Sequence, residues 1–294
     1  MANETSAPLE ISHRFLDEAG DTTFYGKGKQ LILGTEGVSL TFSMTLVRID
    51  RPLAEVRAEI TALQKQIEVD PLLNPIPSVV KRIQRGGFYF HACKDMPDVR
   101  SVFLRYLRDL PCEAEVVIAR KIPSLFALKH HGRDDEFYAD VLSHLIKGRL
   151  KRPQRLVLNI AERGSSTRGK VLENALDKAT GRAGKLWTSE DLKGEVVFNI
   201  QTPSREPLLN VADYLGWAAQ RVFEKGETRF YDYLRRKIRL VVDLYDSRNY
   251  TGHRNYYDHK RNPLTAVNKI GPLSNLSGIP RDAMETTFSG SRPS

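Results

Sequence analysis

The chain has 294 residues, of which 40% are hydrophobic, enough for one large domain or two modest ones. Lysines and arginines number 45 against 36 aspartates and glutamates, which gives a formal net charge of +9. The sequence shows no membrane-length apolar run, no apolar signal segment at its N-terminus and no CxxC pair, so we expect a cytoplasmic protein without a membrane partner, a zinc ribbon or a thioredoxin-like redox site.

The first part of the chain reads as strands. Apolar runs bounded by turn residues predict three of them, at His13–Asp17, Leu31–Leu33 and Leu40–Ile49. Gly34 and Gly37 mark the turn between the second and the third. Because the connections are short, we expect an antiparallel meander.

The middle of the chain alternates helices and strands. Helical spacing of apolar residues predicts a helix over Pro52–Val69, and Asp95 fits the N-cap of a helix that continues to Leu110. A third helix is predicted at Asp134–Leu150. Short apolar runs predict strands at Phe88–Phe90, Glu115–Ala119 and Arg155–Ala161.

The last part continues the alternation and then changes composition. We predict a helix at Thr167–Thr180, a strand at Glu195–Ile200, and helices at Pro207–Glu224 and Arg229–Tyr245. The order of elements predicts an α/β fold, a mixed sheet with helices on both faces. We expect a catalytic-type domain over 10–225, a helical and basic, aromatic segment over 226–260, and an extended or disordered tail over 261–294.

Acidic residues stand directly at the end of the first predicted strand. Asp17 and Glu18 close the apolar segment, and Gly20 and Asp21 follow. Ionised carboxylates are costly to bury unless something neutralises them. A divalent metal would do so, and a strand that ends in acids before a turn is a common way to hold one.

Two further acids follow predicted elements elsewhere in the chain. Glu162 comes just after the apolar strand that ends at Ala161. Asp213 lies on the shoulder of a helix with two adjacent apolar stripes, where small residues at 212, 216 and 219 allow close packing on the sheet. A salt bridge to a neighbouring arginine is the alternative role for Asp213. If the three sites converge, their carboxylates suit Mg²⁺ or Mn²⁺ and phosphodiester cleavage.

Four segments resemble the motifs of the domain-of-unknown-function family 3800, in the same order. They are FLDEAGD at 15–21, FHACKD at 90–95, NIAERGSS at 159–166 and SREPLLNVADYLGWA at 204–218. The resemblance spans roughly residues 13–235. It implies a ribonuclease H-like fold, whose first three strands are antiparallel and whose later strands are parallel, and a bacterial or phage-related nuclease.

The resemblance also implies roles for individual residues. Asp17, Glu162 and Asp213 would be the metal ligands, with Glu18 assisting catalysis. His91 would contact substrate or position water. The implied substrate-binding residues are Arg163, Ser204 and Asn210.

The sequence departs from the family pattern at three places. Glu162 stands where the family has aspartate, Phe90 where many members have an acid, and Asn210 where glutamine is usual. The departures at Glu162 and Phe90 keep a second hypothesis open, a nucleic-acid-binding or interaction module with a decayed catalytic site.

Positive charge is concentrated in runs and favours a nucleic-acid partner, either DNA or RNA, before anionic lipid. Basic runs occur at 147–155 and 235–239, and the segment 245–262 interleaves tyrosines with arginines, histidine and lysine. Aromatic rings stack on bases while cations contact phosphates. A solvated surface, or an arm packed on a partner subunit of a homo-oligomer, is the alternative.

Overall fold

A seven-stranded sheet forms the centre of the molecule. The structure is a computed structural model that describes residues 9–162, 168–186, 188, 192 and 194–271. Within these residues the strands are β1 Glu10–Gly20, β2 Thr41–Ile49, β3 Cys112–Arg120, β4 Gln154–Ala161, β5 Glu195–Gln201, β6 Ile238–Leu244 and β7 Tyr256–Tyr257. They lie in the order β5-β4-β1-β2-β3-β6-β7.

Strand directions bring most carboxyl termini of the strands to one place. β2 is antiparallel to both β1 and β3, whereas β4 is parallel to β1, β5 to β4, and β6 to β3. Five strands, β1, β3, β4, β5 and β6, therefore end on the same side of the sheet, which we call its carboxyl end. Their first residues lie at the opposite, amino end. The predicted α/β fold with a mixed sheet is confirmed.

Helices cover both faces of the sheet. In the described part of the chain they are α1 Leu53–Val69, α2 Pro77–Ile83, α3 Pro97–Asp109, α4 Pro123–His130, α5 Asp134–Ile146, α6 Arg168–Gly184, α7 Leu209–Lys225 and α8 Arg229–Leu234. None of these described helices combines the length and the apolar character needed to cross a lipid bilayer.

Side chains on β1 and β2 show which helices share a face. α7 packs on β1 and β2, and its Gly216 lies against Thr45, the register partner of Asp17. Glu18 points to the other face, where it contacts Tyr138 of α5. Because successive strand side chains alternate between faces, α7 and α5 lie on opposite sides of the sheet. We call these sides the α7 face and the α5 face.

The predicted close approach of α7 is a property of its small residues. Ala212 and Ala219 are fully buried, and Gly216 leaves no room for a Cβ next to Thr45. Almost every residue between Leu209 and Phe223 is buried. The helix is therefore part of the core, and it carries Asp213 to the carboxyl end of the sheet.

The predicted strand at Leu31–Leu33 is wrong. Its only ladder contact within the described residues is an isolated bridge between Tyr25 and Leu31. Gly28, Gly34 and Gly37 have positive φ, so turns occupy the segment and leave no room for a strand. The third antiparallel strand is instead β3, far along the chain.

The predicted strand at Phe88–Phe90 is also wrong, although both phenylalanine rings are buried. The Phe88 backbone N–H donates to Glu68 Oε1 at 2.8 Å, and the Phe90 N–H donates to Asn210 Oδ1 at 3.3 Å. Side-chain acceptors therefore satisfy backbone groups that a strand would pair with a neighbouring strand.

The predicted helix at Arg229–Tyr245 divides in two. α8 ends at Leu234, and Ile238–Leu244 forms β6, paired in parallel with β3. β6 and β7 thus belong to the same sheet as β1–β5. Of the predicted tail, residues 261–271 are described, and the Ile270 N–H donates to Phe223 O at 2.8 Å; residues 272–294 lie outside the described part.

Candidate active site at the carboxyl end of the sheet

A cleft of about 450 Å³ opens at the carboxyl ends of β1 and β4, beside the first turns of α7. It brings together six of the predicted site residues, Asp17, Glu18, His91, Glu162, Asn210 and Asp213. In open α/β sheets, ligands commonly bind outside the carboxyl ends of the strands. The cleft is therefore the candidate active site.

The register of β1 and β4 explains how acids distant in sequence become neighbours. Leu16 pairs with Ile160, so Asp17 and Glu18 lie alongside Ala161 and Glu162 as the two strands continue. Glu162 is exposed, and its N–H donates to Gln201 O at 2.7 Å. That bond extends the β4–β5 ladder by one step and fixes where the Glu162 backbone leaves the sheet.

Asp17 and Glu18 lie on opposite faces of β1. Asp17 shares the α7 face with Thr45, its register partner on β2. Glu18 faces α5, and its Oε1 accepts a hydrogen bond from the Tyr138 hydroxyl at 2.6 Å. Only Asp17 therefore shares a face with Asp213, while Glu18 lines the cleft from the other side of the strand.

Asp213 is buried and firmly held. The residue is 7% exposed, and its Oδ2 accepts the Ala92 N–H at 2.7 Å. His91 Nδ1 lies 3.4 Å from the same oxygen. Among the described residues no arginine or lysine pairs with Asp213, so the salt bridge that we considered as its alternative role is not found there.

His91 Nδ1 is an orphaned polar atom in this cleft. It is buried and makes no hydrogen bond to any described group, although the imidazole as a whole is 28% exposed. Buried polar atoms nearly always have a partner, and one without a partner needs an explanation. A proton shared with Asp213 or a bound ligand would provide that partner.

Asn210 supports the cleft from below. It is 1% exposed, and its Oδ1 accepts hydrogen bonds from Gln64 Nε2 at 3.0 Å and from the Phe90 N–H at 3.3 Å. The Asn210 amide nitrogen donates to Pro203 O at 3.5 Å. These contacts tie α7 to α1 and to the segment that carries His91, so Asn210 positions the cleft wall.

Asp95 does not cap α3, contrary to our prediction. The N-cap position belongs to Met96, and the Asp95 carboxylate instead accepts the His91 N–H at 2.9 Å and pairs with Arg82 at 2.6 Å. The Tyr214 hydroxyl donates to the same carboxylate. Burial raises the pKa of Asp95, and the Arg82 guanidinium opposes that rise.

Asp95, Arg82 and Tyr214 thus fix the backbone at His91. The sequence predicts a helix cap at Asp95 and indicates no role for Arg82 or Tyr214. Its one available signal was the aspartate that ends the FHACKD motif.

Asp21 does not line the cleft. Its carboxylate pairs with Lys121 Nζ at 2.8 Å and accepts the Ser39 N–H at 2.8 Å. Burial alone would raise the pKa of Asp21, but the hydrogen bonds from Lys121 and Ser39 hold it below its ordinary value. This acid closes the end of β1 and is already neutralised.

Of the other two predicted substrate-binding residues, one lies outside the cleft and one is not described. Ser204 does not line the cleft, and its hydroxyl is 3.2 Å from that of Thr202. Arg163 lies outside the described residues. Lys94 lines the cleft and was not predicted, and it contributes a positive charge to the wall.

The donor set suits a hard divalent cation in its chemistry, because it consists of carboxylates with one amide and one imidazole nearby. Among the described residues, however, no three histidine, cysteine, aspartate or glutamate side chains form a group that could hold a metal ion as they stand. The convergence on one cleft is thus looser than a preformed metal centre.

No known family model matches this chain, and no curated protein matches it significantly. The resemblance to family 3800 therefore depends on the four motifs alone. All four motifs contribute described residues to the cleft. The motif NIAERGSS contributes Ala161 and Glu162.

Proposed function

We propose that this chain is a metal-dependent nuclease with a ribonuclease H-like fold. The observation that carries the proposal is the convergence of Asp17, Glu162 and Asp213 on one cleft at the carboxyl end of the sheet. Asp17 and Glu162 are 145 residues apart in the sequence, and Glu162 and Asp213 are 51 apart. A common ligand would account for their convergence.

The topology supports the proposal. An antiparallel β1-β2-β3 unit is extended on the β1 side by the parallel strands β4 and β5. This is the arrangement that the resemblance to ribonuclease H-like proteins implied. Asp17 comes from β1, the strand that joins this unit to β4, where a ligand can reach β4 and α7 at the same time.

Mg²⁺ or Mn²⁺ would be held by Asp17 and Asp213, with Glu162 at the exposed side of the cleft. Mg²⁺ is usually bound by one or two carboxylates together with water and substrate phosphates, so a preformed group of three acids is not required. When bound, such an ion supplies Lewis-acid stabilisation of a phosphodiester and a more acidic water.

The chain's own residues would orient the reaction. The Ala92 N–H holds Oδ2 of Asp213, which limits rotation of this carboxylate. His91 is partly exposed beside it and can exchange a proton or donate a hydrogen bond to a phosphate oxygen. Lys94, on the cleft wall, adds a positive charge that attracts a phosphodiester.

A second cleft could extend the binding track. It measures about 920 Å³, lies at the carboxyl end of β6, and its lining includes Arg248, Arg254, Arg261, Lys269 and three tyrosines. These four cations make no ion pair with any described residue. We call this surface the basic cleft. It contains the predicted basic and aromatic segment.

Its distance from the candidate active site suits a nucleic-acid strand. β1 and β6 are separated by three strand spacings, or about 14 Å at about 4.8 Å each. At about 3.4 Å per stacked nucleotide, that span corresponds to about four nucleotides. One strand can therefore contact both clefts along the carboxyl end of the sheet.

The test is cleavage of labelled single-stranded and double-stranded DNA and RNA with Mg²⁺, with Mn²⁺ and with excess chelator. We expect cleavage that requires the metal and that falls at least a hundredfold in Asp17→Asn and in Asp213→Asn, since an amide binds hard cations more weakly than a carboxylate does. Asp232→Asn is the matched control, because Asp232 is an aspartate on α8 with a half-exposed side chain, outside the cleft.

A second candidate function is a nucleic-acid-binding module without catalysis. The lack, among the described residues, of a ready three-residue metal group favours it. Salt-dependent binding of oligonucleotides that is unchanged by chelator and by Asp213→Asn, with no cleavage of any substrate, would establish this module and reject the nuclease.

A further inference from the structure

Five arginines surround a small cavity at the amino end of the sheet. The cavity measures about 120 Å³, and we call it the arginine cavity. Its charged lining consists of Arg14, Arg48, Arg149, Arg152, Arg239 and two glutamates. The candidate active site lies at the opposite end of the strands, so this cavity is a separate feature.

Strand register brings these arginines together. Phe15 pairs with Val47, so the next antiparallel step places Arg14 beside Arg48, two like charges on neighbouring strands. Arg48 in turn pairs in register with Glu113 of β3. Like charges opposite each other in a sheet destabilise it, so this pairing needs compensation.

The carboxylates present do not balance the guanidinium groups. Glu115 Oε2 lies 2.7 Å from Arg149 and also pairs with Arg239, while Glu113 lies 3.1 Å from Arg48. Five arginines and these two glutamates leave an excess of three positive charges. Counting Asp50, which pairs with Arg48 at the rim at 2.8 Å, the excess is still two.

Two of the arginines have no carboxylate partner among the described residues. Arg14 is 9% exposed and donates only to the neutral acceptors Ser12 Oγ at 2.7 Å and His13 O at 2.8 Å. Arg152 makes no ion pair with a described residue and is exposed at the cavity mouth. Both therefore have donors available for an anion.

The environment of Arg14 disfavours its positive charge. Burial, followed by repulsion from Arg149, Arg48 and Arg152, lowers the pKa of Arg14 to about 10. The Nε of Arg149 is buried without a hydrogen-bond acceptor among the described groups. A buried, uncompensated charge is strongly destabilising, so a bound anion would stabilise this part of the fold.

We propose that the arginine cavity binds one phosphate group, either as free phosphate or as the end of a small phosphomonoester. Its volume of about 120 Å³ is sufficient for a single tetrahedral oxyanion. Guanidinium groups suit this ligand because each can donate two parallel hydrogen bonds to phosphate oxygens.

The surroundings give room for the remainder of an ester. An adjoining cleft of about 570 Å³ shares Arg14, Arg48 and Arg152 with the arginine cavity. A phosphomonoester can place its phosphate among the arginines and its organic part in this cleft. A phosphodiester inside a nucleic-acid chain has two substituents and fits the small cavity poorly.

The test is calorimetric titration of the full chain in phosphate-free buffer with a chelator. The probes are inorganic phosphate, 5′-AMP and a ten-nucleotide DNA strand that lacks terminal phosphates. We expect one binding site for phosphate or 5′-AMP and at least tenfold weaker binding in Arg152→Gln. Arg155→Gln is the control, because Arg155 is also half-exposed and near the amino end of β4 but points to the opposite face from Arg14.

Thermal unfolding separates a ligand site from a structural cluster. Phosphate should raise the melting temperature of the native chain and of Arg155→Gln, and it should have a much smaller effect on Arg152→Gln. Without phosphate, Arg152→Gln should melt no lower than the native chain, since it relieves repulsion. Equal effects in the two variants, binding of the DNA strand alone, or no phosphate-dependent stabilisation would overturn the proposal. None of these measurements depends on nuclease activity.

Discussion

Gly216 lies where α7 packs against β2, and its replacement by alanine tests how the fold positions the catalytic cleft. A Cβ at this position would overlap Thr45 Oγ1 and stand 3.2 Å from the Thr45 Cβ. Asp213 is less than one helical turn away on the same helix. Any shift of α7 that relieves the overlap therefore also moves Asp213 relative to Asp17.

The magnitude follows from two opposing effects. Extra volume in a well-packed core costs about 1–3 kcal/mol. Alanine is better than glycine in a helix interior by about 1 kcal/mol. We therefore expect Gly216→Ala to lower the free energy of unfolding by up to about 2 kcal/mol.

Removing the obstructing hydroxyl should reverse the sign. Thr45 Oγ1 is buried and has no hydrogen-bond partner among the described groups, so Thr45→Ala loses no described hydrogen bond. In that background only the helix preference remains, and Gly216→Ala should stabilise the chain by about 1 kcal/mol. The coupling energy between the two positions is then about 1–3 kcal/mol.

The assay is urea unfolding of the native chain, the two single variants and the double variant, with equal m values as the check on two-state behaviour. A coupling energy below about 0.5 kcal/mol would refute the reasoning, because it would mean that α7 and β2 are not in the close contact described.

Three further predictions concern charged groups. Arg120→Met should lower the free energy of unfolding, measured with urea, by about 3–5 kcal/mol. The reason is that the buried carboxylates bound by Arg120, Asp243 among them, lose their cation. A loss below about 1 kcal/mol would contradict this prediction. Burial raises the pKa of Asp243 to about 6 even beside Arg120, so between about pH 4 and pH 6 the folded state holds a proton that the unfolded state releases. The contribution of Asp243 to the free energy of unfolding should therefore fall as the pH rises from about 4 to about 6 and stay constant above that range. The free energy of unfolding of Asp243→Asn should lack this pH dependence. Combined replacement of Arg248, Arg254 and Arg261 by glutamine should reduce the slope of log K against log salt for single-stranded DNA by about 2, whereas an unchanged slope would remove the basic cleft from the binding track.

Local patterns of apolar residues in the sequence were sufficient to predict much of the sheet and α7. The run RLVLNIA is nearly continuously apolar and forms β4, which is buried between β1 and β5. The double apolar stripe around Asp213 forms α7, which is buried almost all round. In both segments the pattern of apolar residues identifies the element, because it matches the positions that the fold buries.

The segment Arg229–Tyr245 shows where local patterns are ambiguous. Phe230, Leu234, Ile238 and Val241 recur at three- and four-residue intervals, which a helix would also show. The structure resolves the ambiguity through β3, which pairs with β6 and lies more than a hundred residues earlier. No residue pattern within the segment indicates that β3 is its partner.

Two short helices were missed although the sequence marks their start. α2 begins at Pro77, and α4 begins at Pro123. Proline is favoured in the first turn of a helix, where its missing N–H is not needed. Both helices have fewer than nine residues, too few for an apolar period to stand out.

The acids of the candidate site could be identified from the sequence, but the residues that hold the neighbouring His91 segment in place could not. Asp17, Glu162 and Asp213 each stand next to a recognisable element end or helix face. The contacts that hold the His91 segment come from Arg82, on α2, and from Tyr214, on α7. Such pairings depend on the tertiary fold, and no spacing in the sequence expresses them.

Calorimetric titration of Mn²⁺ into the native chain and into Asp213→Asn tests the central claim most directly. The asparagine oxygen can still accept the Ala92 N–H, so the fold should persist while a charged ligand is lost. We predict saturable Mn²⁺ binding to the native chain and at least tenfold weaker binding to the variant. Absence of Mn²⁺ binding, or equal affinity in both proteins, would contradict a metal site built from these acids.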